Sequence, residues 1–333
     1  QQNLPKGPGI ILSSGGSNGG PHQCLQPCSH LDQSAQATSK WIKKEGINPQ
    51  KCIILNPLPM HHISGLMPWW RSRKWGCKHE WILPALMKDV YALEHHLNQL
   101  NKETIYPLII SLVPTQLHRL IATKKGLEWL KKFSIIWVGG AKLSASLAEK
   151  ARSANLQLAP CYGSTETAAM VTVLSPKQFL KGHNNCGEPL DDVQLKIATD
   201  GALLVKTSRL AKARLSNGKL QTIKNQNGWW RSEDAGELVS INTTTELKIL
   251  GRIDTAINSG GETIFLEKLE NRFLESSQKQ GMPILSMVMI GIPDEEWGQR
   301  LIGLIRWSKN MTKKEEQDLL ADIQCLVRDW LPH

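Results

Sequence analysis

The sequence predicts an α/β protein, and two features of the chain support this fold class. Apolar runs that fit buried strands alternate with stretches of helical spacing in the first part of the chain, as parallel α/β architecture requires. From about Asn185 the pattern changes to short strands broken by turns, with Asn217-Gly218 and Asn227-Gly228 as hairpin signals. We therefore expect a parallel α/β layer followed by a small antiparallel sheet or barrel.

Composition places the chain among globular proteins. Its 333 residues and 41% hydrophobic content suffice for a large core and more than one domain. The formal charge of +10 is spread along the chain, so it favours small anionic ligands about as well as nucleic acid. The seven cysteines show no C-x-x-C spacing, which argues against a disulfide framework and a structural zinc site. We expect a reducing, cytoplasmic compartment and no membrane span, because no window is long and apolar enough for a transmembrane helix.

The first motif has the composition of a phosphate loop. A short strand, Gly9–Leu12, runs into a stretch with four glycines, whose backbone N–H groups suit polyphosphate oxygens together with nearby serine hydroxyls. The stretch lacks the ending of a Walker loop, and a flexible glycine–serine linker is the alternative. The residues predicted to meet phosphate are Ser14, Gly15, Gly16, Ser17, Asn18 and Gly19.

A second motif, at residues 57–66, contains two prolines, two histidines and a glycine. The prolines and the glycine predict a shaped loop and not the interior of a helix. The paired histidines lack a nearby third ligand, so they make a poor zinc site. We expect His62 to form a pocket wall, and Ser64 and Gly65 to offer a hydroxyl and a close backbone approach to an acidic substrate.

Three apolar strands, at residues 106–113, 134–138 and 156–160, are each followed by turn-forming residues. A helix is expected over residues 116–130. Ligands of parallel α/β folds bind at the carboxyl ends of the strands. The residues predicted to lie on that edge are Thr115, Gly139, Gly140, Ala141 and Tyr162.

Residues 161–167, Cys-Tyr-Gly-Ser-Thr-Glu-Thr, have the composition of a nucleotide site. Gly163 permits a tight turn, which would bring Tyr162 against a purine face. Thr165 would then meet a phosphate oxygen and Glu166 a magnesium ion, which prefers oxygen ligands. In the alternative interpretation, Tyr162 is a half-buried packing residue and residues 164–166 cap a helix that starts near Thr167.

The second half of the chain adds an aspartate in a predicted turn. Asp234 suits a ribose diol, and a surface ion pair between Asp234 and Arg252 is the alternative. A strand is expected to end at residues 250–254. The segment that follows, residues 257–270, is expected to turn at Gly260-Gly261.

Six motifs in chain order resemble the adenylate-forming superfamily of acyl-CoA synthetases and luciferases. They are the glycine–serine loop, Leu-Pro-x-x-His-Ile-Ser-Gly-Leu, Tyr-Gly-x-Thr-Glu, the tryptophan-containing aspartate loop, Gly-Arg-x-Asp and Ile-Gly-Ile-Pro-Asp-Glu-Glu-Trp-Gly-Gln. The resemblance covers nearly the whole chain. Within the superfamily, the His-Ile-Ser-Gly-Leu loop and the run Leu-Val-Pro-Thr-Gln-Leu at residues 112–117 are most similar to the o-succinylbenzoate–CoA ligases of menaquinone or phylloquinone synthesis.

The resemblance implies the adenylate-forming enzyme fold. A large N-terminal α/β domain would span residues 1–251, with residues 185–251 as its barrel-like β part. A small, mobile α+β domain would span residues 252–333. Both chain ends are expected to be truncated, because the family has a further α/β portion before the phosphate loop and an adenylation lysine after the segment that ends at His333.

The resemblance also implies an activity, which is that of an ATP-dependent acid–CoA ligase. The ligands implied are ATP, Mg²⁺, coenzyme A and a small carboxylic acid, best matched by o-succinylbenzoate. Another aryl- or acyl-CoA synthetase and a nucleotide-binding protein with impaired catalysis are the alternatives. No nucleic-acid partner is expected, and a homo-oligomer is left open.

Family roles carry over to matching positions of this chain. The loop holds the β- and γ-phosphates, Tyr162 packs on adenine, and Thr165, Glu166 and His62 serve the reaction, with Glu166 on magnesium. Asp234 and Arg252 hold the ribose. The remaining implied roles are a hinge at Asp254 and a loop on the thiol side formed by Gly260, Gly261 and Glu262.

Four residues depart from the family pattern. His22 stands where the family loop usually ends in lysine, and Asn18 stands where the family has threonine. Phosphate contact at this loop is therefore expected to be weaker. Ser232-Glu233 replaces the usual Thr-Gly, although the aspartate that follows is present.

Overall fold

The computed structural model describes residues 7–14, 22–100, 106–216, 219–223, 227–241, 243–259, 262–328 and 330. The chain divides into two compact units. The first comprises Gln1–Ser232 and Gly236–Ile249, and the second comprises Glu233–Ala235 and Leu250–His333.

The helices and strands follow one another closely along the chain. Up to residue 173 they are β1 (Gly9–Ser14), β2 (His22–Pro27), α1 (Cys28–Lys44), β3 (Ile53–Asn56), α2 (Ile63–Trp75), β4 (Lys78–Trp81), α3 (Val90–Leu100), β5 (Leu108–Leu112), α4 (Pro114–Ile121), α5 (Lys124–Leu130), β6 (Ile135–Val138), α6 (Ala145–Ser153), β7 (Leu158–Ser164) and β8 (Ala169–Val173). From there they are α7 (Pro176–Leu180), β9 (Glu188–Pro189), β10 (Gln194–Ile197), β11 (Ala202–Lys206), β12 (Ala213–Ser216), β13 (Lys219–Gln221), β14 (Trp230–Ile241), β15 (Thr244–Arg252), β16 (Ile257–Ser259), β17 (Glu262–Ile264), α8 (Leu266–Lys279), β18 (Ile284–Asp294), β19 (Gly298–Trp307) and α9 (Lys313–Val327).

A seven-stranded sheet with the order β4-β3-β5-β6-β7-β8-β9 forms the centre of the first unit. The strands from β4 to β7 are parallel, and β8 and β9 are antiparallel to their neighbours. Successive residues of a strand point to opposite faces of the sheet, and both faces of this sheet are buried. On β3, for example, Ile53 and Leu55 pack into one hydrophobic cluster and Ile54 into another. The prediction of a parallel α/β layer is confirmed.

One helix prediction and one loop prediction need adjustment. The helix expected over residues 116–130 is two helices, α4 and α5, because the Thr123 hydroxyl caps a second helix by accepting a hydrogen bond from the N–H of Gly126 over 3.0 Å. The loop expected at residues 57–66 ends early, because α2 begins at Ile63. Ser64 and Gly65 therefore lie in the first turn of a helix.

The strand expected to end at Pro160 continues through Ser164. Residues 161–164 pair with the antiparallel strand β8, in a register that sets Cys161 opposite Val173 and Ser164 opposite Ala169. A tight turn follows β7, so the alternative interpretation of a helix that starts near Thr167 is wrong. Ala168 and Ala169 have φ values of 52° and 75°, in the left-handed region that an α-helix does not use.

Residues 185–251 form open sheets and no closed barrel within the described part of the chain. One sheet has the order β10-β11-β14-β15, and β12 and β13 extend the β1–β2 hairpin into a second sheet. The barrel-like prediction is thus corrected, since the strands are shared between two sheets that each keep edge strands. Asp234 lies within β14 and not in a turn. The hairpin predicted at Asn217-Gly218 is confirmed by the pairing of Ser216 with Lys219, although its two central residues lie outside the described ranges.

The second unit contains a sheet with the order β17-β16-β19-β18 and two helices, α8 and α9. Phe273, Met289 and Ile323 form its small buried core. Ser259 pairs with Glu262, which confirms the turn predicted at residues 260–261, although these two glycines are outside the described residues. Among the helices that the structure describes, none has the length and apolar character needed to cross a membrane.

Candidate active site

The loops after β5, β6 and β7 meet at one edge of the central sheet. Leu112 pairs with Val138, and Val138 pairs with Pro160, so β5 and β6 end at the same level, and β7 continues beyond that level to Ser164. The sequence prediction that these loops share an edge is confirmed. Thr115 lies there, exposed, in the first turn of α4.

The glycine loop after β6 passes close to β7. The Gly139 N–H donates to the carbonyl oxygen of Leu112 over 3.3 Å, and a Cβ at Gly139 would stand 3.0 Å from the Cys161 sulfur. Gly140 has φ of +79°, which a side chain would disfavour. The loop, which continues to Ala141, therefore passes close to β7, with the Cys161 sulfur against its backbone. Tyr162 on β7 is half-buried and packs against the core, so stacking on adenine stays a prediction.

The turn at residues 165–168 is held by its main chain. Four consecutive carbonyl oxygens each accept a hydrogen bond from elsewhere in the first unit. The donors are Gln26 Nε2 to Thr165 (2.7 Å), the Ala211 N–H to Glu166 (2.7 Å), Arg209 Nη1 to Thr167 (2.6 Å) and Ser34 Oγ to Ala168 (2.6 Å). The side chains of Thr165 and Glu166 are thereby positioned without themselves making these bonds.

Gly163 is required by the approach of β8. A Cβ at this position would overlap the carbonyl oxygen of Ala169, and the register shifts between Tyr162 and Gly163. The Thr167 hydroxyl closes the turn by accepting from the Ser164 N–H over 2.9 Å and donating to the Ala169 carbonyl over 2.6 Å. The glycine thus serves close packing between two strands. The tight turn predicted at Gly163 is wrong in position, because Gly163 lies within β7 and the turn comes at residues 165–168.

Glu166 is buried and already has a cationic partner. Its Oε1 lies 2.8 Å from Nη2 of Arg214, and the residue is 5% exposed. The Cys24 thiol lies beside the same carboxylate. Burial and then the charge of Glu166 raise the pKa of that thiol to about 12, so Cys24 is a neutral neighbour at physiological pH.

The hairpin that bears the predicted phosphate loop lies against this turn. Gln26 on β2 contacts Thr165, and Cys24 on the same strand lies beside Glu166. Ser14 at the end of β1 donates from its hydroxyl to the His22 carbonyl over 3.4 Å. Gly15, Gly16, Ser17, Asn18 and Gly19 lie outside the described residues, so their phosphate contacts stay a prediction.

The second predicted loop supplies exposed polar groups beside a tightly packed glycine. His62 precedes α2 and is exposed, with its ring centroid 4.2 Å from that of His61, and Ser64 is also exposed. A Cβ at Gly65 would overlap the Pro59 carbonyl, so the missing side chain already serves close packing against the protein's own backbone. The approach of a substrate to the Gly65 backbone stays a prediction. The pocket-wall role of His62 and the hydroxyl role of Ser64 stay predictions.

Two buried arginines beneath the edge were not predicted. Arg209 is fully buried, and Arg71 is 3% exposed, with Nε 3.1 Å from the Thr38 hydroxyl and its guanidinium 4.9 Å from the Trp137 ring centroid. Burial lowers the pKa of Arg71 to about 10. One sequence signal was available for Arg71, since it lies at i+4 from Met67 in an otherwise apolar helical stripe.

The predicted ribose residues are brought together in the second unit. Arg252 Nη1 lies 4.0 Å from Asp234 Oδ1, but two other carboxylates are nearer. Nη2 is 2.7 Å from Glu233 Oε2, and Nε is 2.7 Å from Asp254 Oδ1. Asp254 thus has a defined partner, and its hinge role stays a prediction. Glu262, exposed on β17, likewise keeps only its predicted role on the thiol side.

The donor set at the turn fits magnesium. Mg²⁺ is commonly held by one or two carboxylates together with waters and substrate phosphates. Glu166 and the Thr165 hydroxyl are hard oxygen donors beside the phosphate-loop hairpin. The residues that the structure describes contain no group of three or more His, Cys, Asp or Glu side chains able to hold a metal by themselves. The fit is therefore to a magnesium ion bound jointly with phosphate.

The sequence model of the AMP-binding enzyme family matches residues 8–207, a range that includes the hairpin, the glycine loop and the turn. The chain belongs to this family. Related AMP-binding enzymes are named 2-succinylbenzoate–CoA ligase. One from Oceanobacillus iheyensis is 28% identical over 270 residues, covering 78% of this chain and 52% of the relative. One from Escherichia coli is 28% identical over 276 residues, covering 82% and 54%.

Solved structures show the same fold. The o-succinylbenzoate CoA synthetase of Bacillus subtilis with the acyl-adenylate intermediate has a TM-score of 0.75 and 24% identity, covering 94% of this chain and 62% of that one. Its complex with ATP and magnesium has a TM-score of 0.73 and 24% identity, covering 92% and 62%. The expected adenylate-forming fold is confirmed. The chain spans about half the length of the curated relatives named above.

Proposed function

We propose that the chain is an ATP-dependent acid–CoA ligase and that its acid is o-succinylbenzoate. The substrate carboxylate attacks the α-phosphorus of ATP, pyrophosphate leaves, and an acyl-adenylate results. The thiol of coenzyme A then attacks the acyl carbon, loses its proton, and releases AMP. The reaction serves quinone synthesis in the cytoplasm.

One observation chiefly supports the nucleotide chemistry. The Thr165–Glu166 turn lies against the hairpin that bears the glycine–serine loop, through the 2.7 Å hydrogen bond from Gln26. The glycine loop at residues 139–141 follows the adjacent strand of the same sheet. The phosphate, cation and purine groups of one nucleotide can be bound by neighbouring strand ends of one sheet.

The names of the relatives support the choice of acid. Curated relatives from several bacteria are named 2-succinylbenzoate–CoA ligase, at 25–30% identity. One of the structures with this fold holds an acyl-adenylate intermediate. Exposed Ser64, His62 and Thr115 are the proposed polar contacts for the acid.

Catalysis in this proposal consists of positioning and charge stabilisation, because no protein nucleophile is needed. Backbone N–H groups of the hairpin loop and the Thr165 hydroxyl bind phosphate oxygens. Glu166 holds the cation site, where magnesium supplies positive charge against the phosphates. Asp234 and Arg252 bind the ribose hydroxyls.

We also propose a division of labour between two domains, residues 1–251 and 252–333. The second would pivot at Asp254 and present Glu262 to the thiol. The strong main-chain support of the turn within the first unit favours a rigid nucleotide platform there.

The test is a panel of carboxylic acids in an ATP–pyrophosphate exchange assay, followed by detection of the CoA thioester. We expect o-succinylbenzoate to drive exchange most strongly. Glu166→Gln should abolish most of the magnesium-dependent signal, whereas Glu128→Gln, on an exposed surface of α5, should not. If a different acid drove exchange, that acid would be the substrate instead of o-succinylbenzoate. If the chain bound nucleotide but no acid drove exchange, it would be a nucleotide-binding protein and not a ligase.

A further inference from the structure

An ion pair occupies the carboxylate that the proposed function assigns to magnesium. Arg214 on β12 places Nη2 2.8 Å from Oε1 of Glu166, and the two side chains are 19% and 6% exposed. Pairs this sheltered are screened less by solvent than surface pairs. The carboxylate is thus neutralised by the protein itself.

Arg214 lies close to the root of the glycine–serine loop. It pairs with Cys24 on β2, and Cys24 in turn pairs with Leu12 on β1. The paired residues Ser14 and His22, from which the loop departs, are two positions further along. At about 3.3 Å per residue this is roughly 7 Å, which is within the reach of a long arginine side chain.

Magnesium and Arg214 would compete for the same carboxylate oxygen of Glu166. A bound nucleoside triphosphate, however, brings several phosphate oxygens to the Thr165 hydroxyl, next to Glu166, and guanidinium groups bind such oxygens through paired N–H donors. We propose that Arg214 holds Glu166 in the nucleotide-free protein and moves to the phosphates of a nucleoside triphosphate when magnesium takes the carboxylate. This rests on the proposed function.

The exchange couples metal and nucleotide binding. Metal alone has to displace Arg214 with no phosphate to receive the guanidinium, so it binds weakly. Metal with nucleotide gives every charged group a partner, so the two ligands bind cooperatively. Replacement of Arg214 by a neutral residue should therefore affect the two measurements in opposite directions.

The test compares the parent with Arg214→Gln. Mn²⁺ alone, followed by electron paramagnetic resonance, should bind about 10-fold more tightly to the variant, because no cation competes for Glu166. Magnesium ATP, followed by calorimetry at saturating metal, should bind about 10- to 100-fold more weakly, the usual effect of losing hydrogen bonds to a charged group. The matched control is Arg231→Gln, whose exposed arginine pairs with Asp200.

Arg214→Lys guards against a variant that fails to fold, since it keeps the charge but loses the paired donors. It should hold Mn²⁺ affinity near the parent value and weaken magnesium ATP by a smaller factor. Equal Mn²⁺ affinity in parent and Arg214→Gln, with magnesium ATP binding intact, overturns the inference and leaves the proposed function standing. A parent that binds no magnesium ATP overturns the proposed function and this exchange with it.

Discussion

The guanidinium of Arg209 joins Asp192 to the turn at residues 165–168. Its Nε lies 2.7 Å from Asp192 Oδ2, while Nη1 donates to the carbonyl of Thr167 over 2.6 Å. Nη2 donates to the carbonyl of Met170 over 2.9 Å. Because Arg209 is fully buried, the two carbonyls would lose a donor if the guanidinium were removed, and Asp192 would lose its cationic partner.

Arg209→Met should lower the free energy of unfolding by about 2–4 kcal/mol, because two carbonyls lose a charged donor and the partly exposed Asp192 loses its cationic partner. Urea denaturation followed by circular dichroism measures this change. Arg231→Met removes an arginine from an exposed pair with Asp200 and should cost less than about 1 kcal/mol. Equal losses in the two variants would mean that Arg209 adds no more than a surface charge does.

Gly163→Ala should destabilise the protein by about 1–3 kcal/mol, because the new methyl group overlaps the Ala169 carbonyl. It should also weaken ATP binding, since the turn would shift. Gly182→Ala is the matched control, because Gly182 has φ of +100° but open space around its Cβ position. That variant should lose about 1 kcal/mol from backbone strain and keep its ATP affinity in calorimetry.

Asp234→Asn should weaken ATP binding about 10- to 100-fold, because ribose hydroxyls would lose a charged acceptor. Its affinity for a dideoxy analogue, which lacks those hydroxyls, should change little. Glu233→Gln is the control, since Glu233 is the nearer partner of Arg252, at 2.7 Å against 4.0 Å for Asp234. If only the Glu233 variant discriminated less between the two nucleotides, the ribose contact would belong to Glu233.

His79 should make stability depend on pH. Burial lowers the pKa of its imidazole to about 4 from an ordinary value of 6.5. The unfolded chain therefore takes up a proton that the folded protein refuses, and stability falls as the pH drops from about 6.5 towards 4. The loss in the free energy of unfolding should be smaller than the linkage limit of about 1.4 kcal/mol per pKa unit, because the ring is only half-buried.

Urea midpoints at pH 7.5, 6 and 5 check this dependence. His79→Gln should flatten the decline relative to the parent, since glutamine does not titrate. The exposed His118 provides the control, and His118→Gln should retain the parent's slope. An unchanged slope in His79→Gln would show that other groups govern acid stability.

Local sequence patterns were sufficient to predict the edge of the sheet. The apolar runs before Thr115, Gly139 and Tyr162 have the length of buried strands, and parallel strands place their carboxyl ends together. The order of the loops along the chain therefore gave their arrangement in space. Nothing beyond neighbouring residues was needed.

Partners distant in sequence escaped prediction. β7 extends past Pro160 only because β8 pairs with it, and Arg214 reaches Glu166 from 48 positions away. Arg209 contacts carbonyl groups, which have no sequence signature at all. Asp234 was expected in a turn, whereas its pairing within a sheet decides its conformation.

The four hydrogen-bonded carbonyls at residues 165–168 hold the turn independently of the side chains that it carries. Every residue type carries a carbonyl, so mutations at Thr165 or Glu166 leave the acceptors in place. The side chains that determine the conformation of the turn lie largely elsewhere in the sequence, at Gln26, Ser34 and Arg209. A lineage, or a directed-evolution library, can therefore exchange the reactive side chains and inherit the same scaffold intact.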